Sequence, residues 1–207
     1  MTLHTRKRIL NAFFTLAEQN PTKIRFTFTD IAKAADLSRQ AIYKRHFNNV
    51  KEIIDYIHKK LNDEFNQACS QYKFTSSNPF LYFSETILPI IYKNRDWIRT
   101  LYTTAVDPSW RDFIISYFTD WISQNIKLDD TKLDMSSKIS NTILAKYFNL
   151  LIENWITQTS PLSLEKFSNI FLNLVSSPLT SFTIPYSQTE SSNKIIIKKS
   201  SRRKTEK

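Results

Sequence analysis

The chain has 207 residues, no glycine, one cysteine and a formal net charge of +10, and 41% of it is hydrophobic. The lack of glycine excludes P-loops, dinucleotide cradles and the glycine-flanked nucleophile elbow, and disfavours hairpin-rich sheets. A lone Cys69 excludes an intrachain disulfide or a cysteine metal cluster. An aromatic-rich chain of this size has ample length for a buried core, and an all-α fold loses least from having no glycine.

The charge is unevenly placed. Residues 1–60 hold 12 Lys and Arg against 5 Asp and Glu, residues 194–207 hold 7 against 1, and the stretch between them is weakly acidic. Positive charge concentrated at one end is the footprint expected of a phosphate-binding surface, although basic termini are also commonly just solvated. No signal-peptide pattern or continuous apolar span is visible, so the expected location is cytoplasmic, with no membrane partner.

Leu3 to Gln19 reads as an amphipathic first helix with Ile9, Ala12, Phe13, Leu16 and Ala17 on one stripe. Arg6 and Lys7 lie on its opposite side, either as phosphate contacts or as a wet face. Asn20-Pro21 ends this helix, and Thr22 to Phe28 is a connector whose Ile24 and Phe26 can pack beneath it.

Phe28 to Phe47 reads as two short helices joined by a tight turn. Thr29 and Ser38 are hydroxyl residues of the type that caps a helix N-terminus, and each precedes an apolar pattern. Ile31, Ala32 and Ala35 share one face of the first helix, and Leu37, Ala41 and Ile42 point inward from the turn and the second. Small residues there let two helices cross closely, as a helix-turn-helix requires. The outer face of the second helix, Ser38 to His46, is left with Arg39, Gln40, Tyr43 and Lys44, which offer base-edge and phosphate donors. An ordinary surface helix is the plainer reading of the same residues.

This succession, an amphipathic helix, then Thr-x-x-x-Ile-Ala-x-x-Ala-x-Leu-Ser-x-x-x-Ile-Tyr, then a Phe and a long helix, resembles the DNA-binding domain of the tetracycline-repressor (TetR) family over roughly Arg6 to Leu61. Asp36 stands where that family usually has Gly, the spacing from Tyr43 to Phe47 is one residue longer, and Val50, followed by Lys51, stands where a phosphate-binding Lys is common. The resemblance implies a three-helix DNA-binding head on a helical body that binds a ligand and dimerises. Carried onto this chain, the DNA-contact set is Thr29, Ser38, Arg39, Gln40, Ala41, Tyr43, Lys44, His46 and Lys51. Arg39 and Gln40 are the base-reading candidates, each worth about 1–3 kcal/mol of discrimination if bidentate. Tyr43, Lys44, Lys51 and the backbone at Thr29 would hold phosphates, and His46 is either a phosphate-side donor or a packing residue.

Asn48-Asn49 introduces a long helix to about Tyr72, with Val50, Ile53, Ile54, Ile57, Leu61, Phe65 and Ala68 on its apolar stripe and Asp55 and His58 on its wet side. The polar Lys73 to Asn78 stretch interrupts it. Further helices are expected at Pro79–Lys93, bent at Pro89, at Asp96–Thr104, and from Asp107-Pro108 to about Ile126. Asp129 to Asp134 is an acidic loop. An eighth helix follows at Met135–Thr157, striped by Ile139, Ile143, Tyr147, Leu151 and Trp155, and a ninth at Leu164–Ser176. The last two carry apolar residues on more than one side, which asks for a partner such as a two-fold four-helix interface. From Ser187 the chain turns polar and basic, as a disordered tail would.

The expected organisation is a helix-turn-helix domain at 1–60, a ligand-binding and dimerisation domain at 61–186, and a basic tail at 187–207. Tyr82, Trp97, Tyr102, Tyr117 and Trp121 are candidate pocket residues, although most aromatics at helical spacing are core. The three histidines, His4, His46 and His58, form no metal-ligand or triad spacing, so no cofactor, metal site, catalytic residue or enzyme activity is expected. The family resemblance implies a homodimer on palindromic double-stranded operator DNA, acting as a repressor released by a small hydrophobic or aromatic effector. Two other readings stay open: a helical adaptor acting through protein contacts, and nonspecific nucleic-acid binding through the tail.

Overall fold

The computed structural model describes residues 2–71 and 78–183. Among these residues there are ten α-helices and no strand: α1 (Thr2–Gln19), α2 (Phe28–Ala34), α3 (Arg39–Arg45), α4 (Lys51–Gln71), α5 (Pro79–Lys93), α6 (Arg95–Thr103), α7 (Trp110–Asn125), α8 (Asp130–Leu133), α9 (Ser137–Ile156) and α10 (Leu164–Ser176). A 3-10 turn, Leu179–Phe182, closes the described chain. The fold is all-α as expected, with one helix more than the nine read from the sequence. The addition is α8, a single turn inside the expected acidic loop, where the Asp129 carboxylate accepts from the N–H groups of Thr131 and Lys132. The expected tail at 187–207 and most of the polar Lys73 to Asn78 break lie outside the described residues.

Helices α1 to α3 wrap a small core of Ile9, Leu10, Phe13, Phe14 and Ala17 from α1 with Phe26, Phe28, Ile31, Ala32, Ile42 and Phe47. Phe26 packs inside as expected, but Ile24 stays 57% exposed. The α2 cap is Thr27, not Thr29. Thr27 Oγ1 accepts from the Asp30 N–H at 3.1 Å and the Asp30 carboxylate accepts from the Thr27 N–H at 2.9 Å, a reciprocal box that starts the helix two residues earlier than a Thr29 cap would. The Thr27 hydrogen bonds hold the Asp30 carboxyl below its ordinary range.

Helix α4 threads from this head into the rest of the molecule with Ile53, Ile57, Leu61 and Phe65 buried; Val50 and Ile54 are only half-buried. Helix α5 begins where Asn78-Pro79 signals it, with the Asn78 side chain accepting from the N–H groups of Phe80 and Leu81. At the centre of the body Phe83 meets Phe118, Trp121, Phe148 and Phe171 at centroid distances of 5.2, 5.1, 4.8 and 5.4 Å. Helix α9 is rotated relative to its expected stripe. Ala145, Phe148, Ile152, Trp155 and Ile156 face the core, whereas Ile139 and Ile143 of the expected stripe, with Leu150, are each more than half exposed.

Head and body meet along α1 and α6. The Thr100 hydroxyl donates to the Glu18 carboxylate at 2.8 Å, the Ala105 N–H donates to the Pro21 carbonyl at 2.6 Å, and Phe14 stacks on Trp97 at 5.4 Å. Among the described residues no helix is long and apolar enough to cross a membrane.

Candidate nucleic-acid interface

The second helix of the pair, α3, is capped by Ser38, whose Oγ accepts from the Ala41 N–H at 3.1 Å. Ile42, fully buried, anchors its inner side. One helical turn then leaves Arg39, Gln40, Tyr43 and Lys44 exposed around a common shallow surface. Tyr43 is braced edge-on against Phe28 at 6.1 Å, which limits the ring while leaving it 53% exposed. Ala41 is half-buried.

The remaining expected contacts flank this face. Thr29 is exposed in the first turn of α2. Lys51 is exposed at the start of α4, 3.8 Å from Asp55. His46 sits half-buried at the α3 C-cap, its N–H donating to the Ile42 carbonyl at 3.0 Å, at the opposite end of the helix from Arg39. Glu52 fixes the start of α4: its carboxylate accepts from the backbone N–H of Asn48 at 2.8 Å, while the Asn49 side chain caps the Glu52 N–H at 3.0 Å.

The turn between α2 and α3 passes through Asp36 at φ 49°, the left-handed region where glycine is usual. Arg8 of α1 reaches across to stabilise it, with Nη2 donating to the carbonyls of Ala35 at 2.7 Å and Asp36 at 3.0 Å. This clamp was not read from the sequence. The signal was there: a non-glycine residue at the turn, and a cation nearly two helical turns inside α1. Arg6 is drawn the other way, its guanidinium lying 5.1 Å from the Tyr56 ring and 5.7 Å from that of Phe47.

His58 is a correction. It lies not on a wet face of α4 but partly buried, with Nε2 2.7 Å from the Asp107 carboxylate and its ring stacked on Phe113 at 4.0 Å. Burial pushes the Asp107 carboxyl up, but hydrogen bonds from His58 and from the Ser109 hydroxyl and N–H outweigh it and hold the group below its ordinary value.

The five candidate pocket aromatics do not converge. Tyr82, Tyr117 and Trp121 line one recess of about 290 Å³ with Asn62, Asn66 and Cys69. The Trp121 indole N–H is buried with no partner among the described residues, and burial together with the neighbouring Cys69 and Tyr82 pushes the Tyr117 hydroxyl well above its ordinary range. Trp97 instead lines a separate cleft beside α1. Tyr102 is core, its hydroxyl donating to Asn149 Oδ1 at 2.7 Å.

No protein-family model and no curated protein matches the sequence. Among solved structures, a TetR transcriptional regulator from Streptococcus agalactiae superposes with a TM-score of 0.54 at 19% identity, covering 83% of this chain and 93% of the other. The dihydroxyacetone kinase operon activator DhaS matches with a TM-score of 0.54 at 18% identity over 83% of this chain and 93% of that one. NalD, the secondary repressor of the MexAB-OprM multidrug efflux pump in Pseudomonas aeruginosa, matches with a TM-score of 0.52 at 14% identity over 83% and 94%. Each likeness covers most of both chains, and the chain therefore has the fold of the TetR-family transcriptional regulators.

Proposed function

We propose that the chain is a sequence-specific DNA-binding transcriptional regulator whose head, residues 1–60, reads an operator through α3. The observation that carries this reading is the single exposed face formed by Arg39, Gln40, Tyr43 and Lys44 on a capped helix whose other side is locked into the core. Arg39 and Gln40 stand at the start of α3, where a helix entering the major groove meets base edges. Tyr43, Lys44, Lys51 and the α2 backbone at Thr29 flank them as phosphate contacts. His46, half-buried at the far end, serves as packing on this reading.

Residues 61–186 would dimerise and take the effector. The exposed Ile139, Ile143 and Leu150 on α9 and Ile170 on α10 form an apolar surface suited to a second copy. A two-fold dimer would then set its two α3 helices one helical turn apart, about 34 Å, on a palindrome. The recess of about 290 Å³ lined by Tyr82, Tyr117 and Trp121 supports a small aromatic effector that releases a repressor from DNA.

The test is selection of bound duplexes from a random pool at near-physiological salt, repeated with Arg39→Ala. A palindromic consensus that relaxes at one half-site position in the variant is expected. Salt-sensitive binding without any enriched sequence would overturn the reading in favour of nonspecific attraction, and no binding at all would favour an adaptor.

A further inference from the structure

Helix α2 ends in a Schellman turn. The Leu37 N–H donates to the Ala32 carbonyl at 2.9 Å and the Asp36 N–H to the Lys33 carbonyl at 3.3 Å, around a left-handed Asp36 at φ 49°, while Leu37 packs on the core of the head. That pattern leaves the carbonyls of Ala35 and Asp36 without a backbone donor among the described residues. Arg8 of α1 supplies both from one nitrogen, Nη2 donating at 2.7 and 3.0 Å. The Asp36 carboxylate, 3.6 Å from the same nitrogen and fully exposed, adds little in water, so the two carbonyls carry the hold.

What is held decides where α3 points. A residue with a Cβ disfavours left-handed backbone, and this chain has no glycine to place there. Relaxed to right-handed values, Asp36 would continue α2 and send the following chain along a different course. Only Leu37 separates Asp36 from Ser38, the cap of α3, and Arg39 and Gln40 follow directly. The exit direction of α3 therefore hangs on the Asp36 dihedrals, and Arg8 restrains them from a separate helix. Its own backbone is well seated, since the next two residues of α1, Ile9 and Leu10, are fully buried.

We infer that Arg8 is a positioning residue for DNA reading: it acts through the turn, fixing the angle at which α3 presents Arg39, Gln40, Tyr43 and Lys44, and not as a phosphate contact. Its effect on DNA rests on the operator reading of α3; its hold on the turn does not.

The test compares the full-length wild type with Arg8→Gln, Asp36→Gly and the double variant Arg8→Gln/Asp36→Gly on the selected operator over a series of salt concentrations, with circular dichroism showing each chain folded. Arg8→Gln is expected to weaken binding at least tenfold with the salt slope unchanged. The double variant is expected to return to within threefold of wild type, because glycine keeps the left-handed turn unaided. If Arg8→Gln does not fold, Arg8→Lys replaces it, with an expected loss of at least threefold that Asp36→Gly again recovers. Wild-type affinity without Arg8, or no recovery with Asp36→Gly, overturns the positioning role. A salt slope lowered by about one per head overturns it too, in favour of a direct phosphate contact. In the DNA-free chain, backbone order parameters at Asp36, Leu37 and Ser38 are expected to fall from about 0.85 to about 0.6 in Arg8→Gln. Unchanged values overturn the hold on the turn. That arm decides the clamp even where the wild type selects no operator, the outcome that defeats the reading of the head alone.

Discussion

Arg8 and Asp36 are joined twice across the helix-turn-helix: the guanidinium donates to the Asp36 carbonyl at 3.0 Å and lies 3.6 Å from its carboxylate. The turn is held by a side chain from outside it, in a chain with no glycine to take the left-handed position. Asp36→Gly removes a left-handed backbone cost of about 1 kcal/mol and should leave urea-induced unfolding unchanged or slightly later. Arg8→Gln, by contrast, strips charge-assisted donors from two carbonyls and should cost about 1–3 kcal/mol in the same measurement.

The His58–Asp107 pair ties α4 to the start of α7, and it carries a pH dependence with a definite sign. The Asp107 carboxyl lies below its ordinary value near 3.8, so its contribution to stability is complete above that value. The contribution falls away as pH drops through the lower folded-state value. Thermal midpoints measured from pH 6 down to pH 3 should show Asp107→Asn well below wild type at pH 6, with the gap narrowing below about pH 4. A gap that stays constant would mean that the carboxylate charge is not what the pairing uses.

Ile143 stands 53% exposed on α9 amid other exposed apolar residues. Ile143→Glu places a charge in the middle of that surface. Light scattering after size exclusion should report a shift from dimer to monomer, with helical circular dichroism unchanged, since Ile143 takes no part in the chain's own core.

Tyr102 and Asn149 form a buried hydrogen bond between α6 and α9. Tyr102→Phe leaves the Asn149 carbonyl oxygen without that donor and should destabilise the chain by about 1 kcal/mol, read from chemical unfolding. Ligand binding should be unaffected, because this hydroxyl opens onto no cavity described above.

Local chemistry explains what was readable beforehand. The Asn78-Pro79 start of α5, the Ser38 cap and the bounds of α10 all follow from groups within four residues of one another. Thr27 and Thr29 are both plausible caps by type, and only the reach of Asp30 back to the Thr27 N–H distinguishes them. Helix α9 was misjudged because it is apolar on two sides, and periodicity does not say which side faces the chain's own core. His58 was misplaced for a related reason: Asp107 comes from 49 residues away, and no local pattern announces it.

The bond from the Ala105 N–H to the Pro21 carbonyl joins the connector of the head to the loop after α6. Its proton can exchange with solvent deuterium only when those two segments part. Ala105 is thus a natural clock for hinge opening: whatever holds the head against the body slows its exchange, and whatever frees the head speeds it, one amide reporting the event without any label attached.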